Sequence, residues 1–236
     1  MDERIRRLQL QERRAIARSP HAKAQLLVVL AHSSDGATRA GVAQNANTPF
    51  ETVWRLAPQH PQSVVENPAR FLWPAVRPGF LSEVPVPALK AVLLFPDVPT
   101  DWMRWTLQQQ SEIYRPAQKA LARNDAAPRS VVQALLEREI VSARDLAHHP
   151  AAPPDLIDNV GSGTDTYGHA RVAENPSASE EVMQRLSDNH SDAVRKRLAR
   201  NPSLPDGIII KLAADSNPAV RREWSLPRRL RPRLFF

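Results

Sequence analysis

The sequence predicts an all-α fold made of stacked helical repeats, an α-solenoid with a period of about 25 residues. Two observations support this fold class. Leu-Ala or Val-Ala pairs begin at Leu121, Leu146, Val172 and Leu198, so the steps between them are 25, 26 and 26 residues. Proline makes up 22 of the 236 residues. Most prolines fall where helices are expected to begin or turn, and a missing backbone N–H does no harm at these positions.

The repeat pattern extends along most of one predicted domain. In the N-terminal part, Leu30 and Leu56 again lie 26 residues apart. A single repeat cannot cover its own apolar stripe, so its neighbours must cover it, and the end units need caps. The predicted parts of the domain 1–236 are a basic cap helix at 1–20, N-terminal repeats at 21–70, an irregular aromatic-rich stretch at 71–115, regular repeats at 116–224 and a basic tail at 225–236.

The unit from 194 to 219 shows how one repeat is expected to fold. Val194 and Leu198 lie four residues apart, on one face of a short helix. Asn201 and Pro202 end that helix, because the residue before a proline is disfavoured in the α region. A second helix then carries the apolar stripe that packs on the next unit. The stripe residues expected to meet across units are Val160, Leu186 and Leu212.

This repeat resembles the leucine-rich repeat variant family of bacterial helical-repeat proteins. The matching phrase is a short helix, an Asn-Pro pair and a second helix that ends in Leu-Ala. The unchanged Asn-Pro pairs are Asn67-Pro68, Asn175-Pro176 and Asn201-Pro202. The resemblance implies a right-handed superhelix in which α-helices alternate with short, 3₁₀-like helices, and it implies no agreed activity. A known member binds an iron–sulfur cluster through cysteines, which this chain lacks.

Asparagines recur at the end of the short helices, at Asn45, Asn124, Asn175 and Asn201. In the structural interpretation, each side chain completes backbone hydrogen bonds in the turn of a neighbouring repeat. In the functional interpretation, the column is a row of ligand-binding amides. The structural interpretation is favoured, because every turn has backbone polar groups that need partners.

The net charge of +7 is concentrated at the two ends of the chain. Residues 1–19 carry +3 and residues 220–236 carry +5, which leaves 20–219 at −1. A high isoelectric point by itself suggests nucleic-acid binding. The near-neutral middle argues against a uniformly basic groove.

Basic residues nevertheless recur from repeat to repeat and form candidate binding columns. If the short helices line a concave face, these columns could contact phosphates or an acidic peptide. In the alternative, acidic residues of adjacent repeats pair with them and neutralise the face. The candidates are Lys119, Arg144, Lys196 and Arg222 in the first column, Arg195 and Arg221 with His169 in the second, and Arg171 and Arg197 in the third.

Two tryptophans in the irregular stretch are further candidates for partner binding. Trp102 and Trp105 lie three residues apart and should share a helix face. Large rings can fill the core where the repeat is irregular, and this interpretation is favoured. The alternative is an exposed tryptophan patch that serves as a binding hot spot.

The sequence predicts a non-enzymatic binding scaffold that recognises a protein or an acidic peptide. The alternatives are a nucleic-acid-binding protein that uses the basic columns and tail, and a helical-repeat enzyme acting on DNA bases near Asp101. We expect no cofactor and no metal site, since no cysteine and no hydrolase or metal-binding motif is present. The longest apolar run, Leu26–Ala31, is too short to span a membrane, so a cytoplasmic location is expected.

Overall fold

The computed structural model describes residues 8–223, and this part of the chain is helical throughout, with no strand. None of its helices is long and apolar enough to cross a membrane. The chain divides into two compact units, unit 1 up to Ala127 and unit 2 from Pro128. Most of the predicted cap helix falls within the described range, whereas its first seven residues and the predicted basic tail lie outside it.

Unit 1 is built from α-helices that pack on their second neighbours along the chain. α1 contacts α3, α3 contacts α5, α5 contacts α7 and α7 contacts α9, so the odd-numbered helices form one row. Short 3₁₀-helices occupy 68–71, 80–83 and 112–114. The α-helices are α1 (Leu10–Arg18), α2 (Ala24–Leu30), α3 (Gly36–Gln44), α4 (Phe50–Leu56), α5 (Pro61–Val65), α6 (Trp73–Val76), α7 (Val86–Val92), α8 (Thr100–Gln108) and α9 (Arg115–Leu121).

Unit 2 contains two rows of packed helices. α11, α13, α15 and α17 pack successively on one another, while α12 packs on α14 and α14 on α16. The helices are α10 (Arg129–Glu137), α11 (Ala143–Leu146), α12 (Pro154–Ser162), α13 (Thr166–Ala173), α14 (Glu180–Ser187), α15 (Asp192–Leu198), α16 (Asp206–Ala213) and α17 (Pro218–Arg221).

The expected alternation of α- and 3₁₀-helices is not what the described part of unit 2 shows. All of its helices, including the short ones, are α-helical between residues 128 and 223. A 3₁₀-helix has poorer hydrogen-bond geometry and rarely extends beyond three or four residues. Helices such as Asp192–Leu198, with seven residues, are long enough to form α-helical hydrogen bonds instead.

An asparagine at the end of several repeats ties each of them to the repeat before. Nδ2 of Asn201 donates to the carbonyl oxygens of Ala173 at 3.0 Å and Asn175 at 2.7 Å. Its Oδ1 accepts from the backbone N–H of Ser203 at 2.8 Å. Since the side chain is buried, these bonds satisfy backbone groups that water cannot reach.

The same three hydrogen bonds recur at every asparagine of this column, which confirms the structural interpretation. In each case Nδ2 bridges two carbonyl oxygens of the preceding repeat that lie two residues apart in the sequence. Oδ1 accepts from the N–H two residues further on. We call these residues the asparagine ladder: Asn45, Asn67, Asn124, Asn175 and Asn201.

Buried apolar residues between 147 and 220 in unit 2 form one hydrophobic core. Leu186 and Leu212 are fully buried members of a single cluster, and Val160 packs against it. Successive helices approach closely at Gly161, where an added Cβ would lie only 2.5 Å from a methyl group of Val182. The predicted stripe residues of three repeats therefore meet in one core.

Unit 1 fills its irregular region with aromatic rings. Phe50, Trp54, Trp73, Phe80 and Trp102 form a cluster in which the contacting ring centroids lie 5.5 to 6.4 Å apart. Trp54, Trp73 and Phe80 each contact all four of the other rings. Rings at these separations and tilts pack favourably beyond the area that they bury.

Candidate interaction surface

The residues of the second basic column form hydrogen bonds within the protein itself. Nη1 of Arg195 donates to the carbonyl oxygen of Asn189 at 2.7 Å, just after α14 ends. Its Nε and Nη2 donate to the carboxylate of Asp215 in the next repeat, at 2.7 and 3.1 Å. The hydrogen bonds from Arg195 hold the pKa of Asp215 below its ordinary value. With its side chain only 13% exposed, Arg195 offers little surface to a partner.

Other residues at the register of Arg195 also bond to carbonyl oxygens in the loop that follows the preceding helix. Arg39 and Arg221 each donate to two such oxygens. His169 places Nε2 2.8 Å from the oxygen of Gly163 and Nδ1 2.9 Å from Nδ2 of Asn189. Because backbone carbonyls in a loop need hydrogen-bond partners, this column stabilises the loops that join successive helices.

Lys196 and Arg197 face acidic groups of neighbouring repeats. Nζ of Lys196 lies 3.8 Å from Glu223, and Nη1 of Arg197 lies 3.1 Å from Glu174. Arg200 approaches the same two carboxylates, at 3.0 Å from Glu223 and 3.9 Å from Glu174. The positive charge of α15 is thus largely balanced by acids within unit 2.

The remaining candidates of unit 2 differ in their surroundings. Arg144 is well exposed and lies 3.6 Å from Asp165, with its guanidinium 5.7 Å from the ring centre of Tyr167. Arg171 donates to the hydroxyl of Tyr167 at 2.8 Å. Arg222 is exposed just after α17. The candidate columns of unit 2 therefore do not form a continuous unpaired positive stripe.

Unit 1 contains a basic surface without ion pairs. Lys90 and Lys119 each lie five residues before the end of their repeat, on helices α7 and α9, which pack together. Arg123 and Leu94 occupy the matching position one residue before the repeat end. All four side chains are exposed, and the three basic ones form no ion pair with any residue between 8 and 223. We call these four residues the basic face.

The basic face ends where the stack of unit 1 becomes acidic. The equivalent positions are Gln62 on α5, which packs on α7, and Glu66 directly after α5. These two side chains hydrogen-bond to each other at 2.7 Å, and Gln44 donates to the second oxygen of Glu66 at 3.0 Å. Both carboxylate oxygens of Glu66 therefore accept hydrogen bonds from neighbouring glutamines, and in the described part of the chain Glu66 forms no ion pair with the lysines of the basic face.

The two tryptophan candidates do not form a common exposed patch. Trp102 is only 3% exposed and belongs to the aromatic cluster of unit 1. A buried ring presents no surface to a partner, so its position agrees with the core interpretation. Trp105 is half-buried and packs edge-on against Tyr114, with ring centres 5.6 Å apart.

Asp101, the acid of the enzyme alternative, lies on the surface of unit 1. This carboxylate is almost fully exposed in the first turn of α8, and Arg104 lies 3.7 Å away. No group of three or more His, Asp or Glu side chains between residues 8 and 223 could hold a metal ion.

Sequence reasoning missed Lys90 because it missed the repeat to which that residue belongs. Nδ2 of Asn124 bridges the carbonyl oxygens of Leu93 and Phe95, both at 2.8 Å, so Phe95 occupies a ladder position. The signal was present in the spacing of the prolines. Phe95-Pro96-Asp97-Val98-Pro99 has the pattern of Asn201-Pro202-Ser203-Leu204-Pro205.

Comparison with known proteins identifies no relative, since no family model, curated protein or solved structure matches the chain. Its function must therefore be inferred from its own residues and their geometry.

Proposed function

We propose that the chain is a non-enzymatic binding scaffold of the leucine-rich repeat variant type, a right-handed α-solenoid that binds an acidic peptide segment of a partner protein. Support for the repeat architecture comes from the rows of packed helices and from the asparagine ladder that links consecutive repeats. The observation that carries the binding proposal is the basic face: Lys90, Lys119 and Arg123 are exposed and unpaired within the described chain.

The spacing of the basic face suits an extended peptide. Axes of packed helices lie about 8–10 Å apart, so Lys90 on α7 and Lys119 on α9 present their flexible ammonium groups at a similar separation. In an extended strand, alternate side chains lie on one side and about 6.6 Å apart. Two alternate carboxylates can therefore reach both lysines, while Leu94 offers an apolar contact beside them.

The basic face alone is expected to give modest affinity. An exposed ion pair contributes about 0.2–1 kcal/mol, so three of them contribute roughly 1–3 kcal/mol. Charges at such a surface raise association rates and orient the partner more than they tighten the complex. Contacts elsewhere on the partner are expected to add the remaining affinity.

Fluorescence anisotropy tests this proposal with a labelled octapeptide of alternating glutamate and serine. A matched peptide of alternating glutamine and serine has the same length without the charge. We expect the glutamate peptide to bind more tightly, and its binding to be lost in the double variant Lys90→Glu/Lys119→Glu. The control Arg55→Glu reverses an exposed charge on α4. Equal binding of both peptides, or unchanged binding by the double variant, would refute the proposal.

The same basic face could in principle hold phosphates, so a labelled DNA duplex is the comparison probe. With about three phosphate contacts, the affinity for duplex would fall with a log–log salt slope near −2.7. We favour the peptide because most basic side chains of the unit 2 columns already bond to acids, carbonyl oxygens or a tyrosine hydroxyl, which leaves no long basic track for a duplex in the described part of that unit. Tighter binding of duplex than of peptide in 150 mM salt would favour the nucleic-acid alternative.

A further inference from the structure

Unit 2 contains an open groove that lies between α10 and α12 and has a volume of about 550 Å³. Pockets that bind ligands commonly have volumes of about 300–1,000 Å³. The groove involves none of the residues of the basic face. It is therefore a separate surface, and its role does not depend on the acidic peptide.

The groove has an apolar floor. Leu136 of α10 and Val160 of α12 line it, and both are only partly buried although they pack against the hydrophobic core. Ala143 at the start of α11, Leu156, Pro153 and Pro154 also contribute to the apolar lining. α14 packs on α12 and α16 packs on α14, so the groove lies at the end of this row of helices that the contacts of α12 leave open. Because Leu136 and Val160 contact both the core and the groove, core side chains of unit 2 reach the surface here.

The rim of the groove is polar and more acidic than basic. Arg129 and Glu137 lie at opposite ends of α10, and eight residues of helix separate them by about 12 Å. Asp155 lies in the first turn of α12 and is exposed. Gln133 donates to Glu137 at 2.9 Å. An apolar floor within a polar rim is the usual anatomy of a protein interface.

We propose that this groove binds a short apolar segment of a partner protein that carries a basic side chain. The apolar side chains of the segment cover Leu136 and Val160. Its lysine or arginine pairs with Glu137 or Asp155. These two carboxylates give the rim a net negative charge, since Arg129 is the one basic residue among the described residues that line the groove. The partner chemistry is opposite in charge to that of the basic face, so the chain would bind two different segments.

Selection from a phage-displayed library of random dodecapeptides, with the full chain as bait, tests this proposal. We expect the enriched peptides to combine apolar residues with lysine or arginine. A synthetic peptide of the most enriched sequence is then titrated against variants by anisotropy. Ala143→Phe fills the groove from an exposed position and should weaken binding at least tenfold.

Charge variants test the acidic rim. Glu137→Lys combined with Asp155→Lys should weaken binding about tenfold, whereas Glu180→Lys reverses an exposed acid outside the groove and should leave it unchanged. Circular dichroism melting curves check that each variant is folded. The proposal is overturned if no enriched peptide is weakened by Ala143→Phe, if the enriched peptides are acidic, or if the rim variants bind like the control.

Discussion

Asn201 offers the sharpest test of the ladder, because one side chain makes three hydrogen bonds and is buried. In Asn201→Leu, the carbonyl oxygens of Ala173 and Asn175 and the N–H of Ser203 all lose this partner. The oxygen of Asn175 keeps the bond from Ala178. At about 1 kcal/mol net for each bond, the variant should lose about 3 kcal/mol of unfolding free energy. That loss corresponds to roughly a hundredfold change in the folding equilibrium.

Urea unfolding followed by circular dichroism measures this loss. Asn201→Asp keeps the shape of the side chain but removes its two donated hydrogen bonds, so it should also be strongly destabilised. Asn159→Asp makes the same change at an exposed position outside the ladder and should alter stability by less than about 0.5 kcal/mol. An unchanged unfolding midpoint in Asn201→Leu would refute the structural role of the ladder.

Three further predictions concern stability. Gly161→Ala should cost about 1–3 kcal/mol in urea unfolding, since its Cβ would lie 2.5 Å from a valine methyl group. Gly207→Ala, where nothing lies within 4 Å, should not be destabilising, and equal losses in both variants would contradict this packing. His60 precedes α5 without capping it by its side chain, and burial and the charge of Arg39 lower its pKa. We expect His60→Asp to stabilise the protein by about 1 kcal/mol, as an aspartate N-cap does, and a loss of stability would contradict this. The lowered pKa of Asp215 means that its carboxylate stabilises the fold fully above its ordinary pKa of about 4 and progressively less as the pH falls through the lowered pKa. The difference in unfolding free energy between wild type and Asp215→Asn should therefore shrink below about pH 4, and a constant difference from pH 7 to pH 2 would contradict it.

The period of the chain could be predicted from the sequence because the same turn recurs in the repeats and has the same unpaired backbone groups. A buried turn needs a side chain that can donate twice and accept once, and asparagine does this at Asn45, Asn175 and Asn201. Phe95 cannot do so, and the repeat that it ends was missed. Its backbone oxygen still accepts from Asn124, so the backbone keeps the geometry of the repeat although the residue at this position is not asparagine.

The fate of the basic columns could not be predicted from spacing alone. The periodicity places Lys119 and Arg195 in neighbouring columns and gives no reason to prefer one of them as a binding residue. Arg195 is not free, because it bonds to Asp215 in the next repeat and to the carbonyl oxygen of Asn189 in the loop before its own helix. These contacts depend on the exact stacking of helices, which composition does not specify.

The groove was also invisible in the sequence. Leu136 and Val160 have the pattern of ordinary core residues, yet both line the groove and are only partly buried. A gap of this kind arises from how helices pack, not from which residues they contain.

The most direct test compares one free and one paired basic residue in both binding and stability. Lys119→Ala should weaken binding of the glutamate octapeptide and leave the urea midpoint unchanged. Arg195→Ala should lower the midpoint, because Asp215 and the carbonyl oxygen of Asn189 lose their partner, and leave peptide binding unchanged. If Arg195→Ala weakened binding without a loss of stability, or if Lys119→Ala bound like the wild type, the assignment of free and structural charges would be wrong.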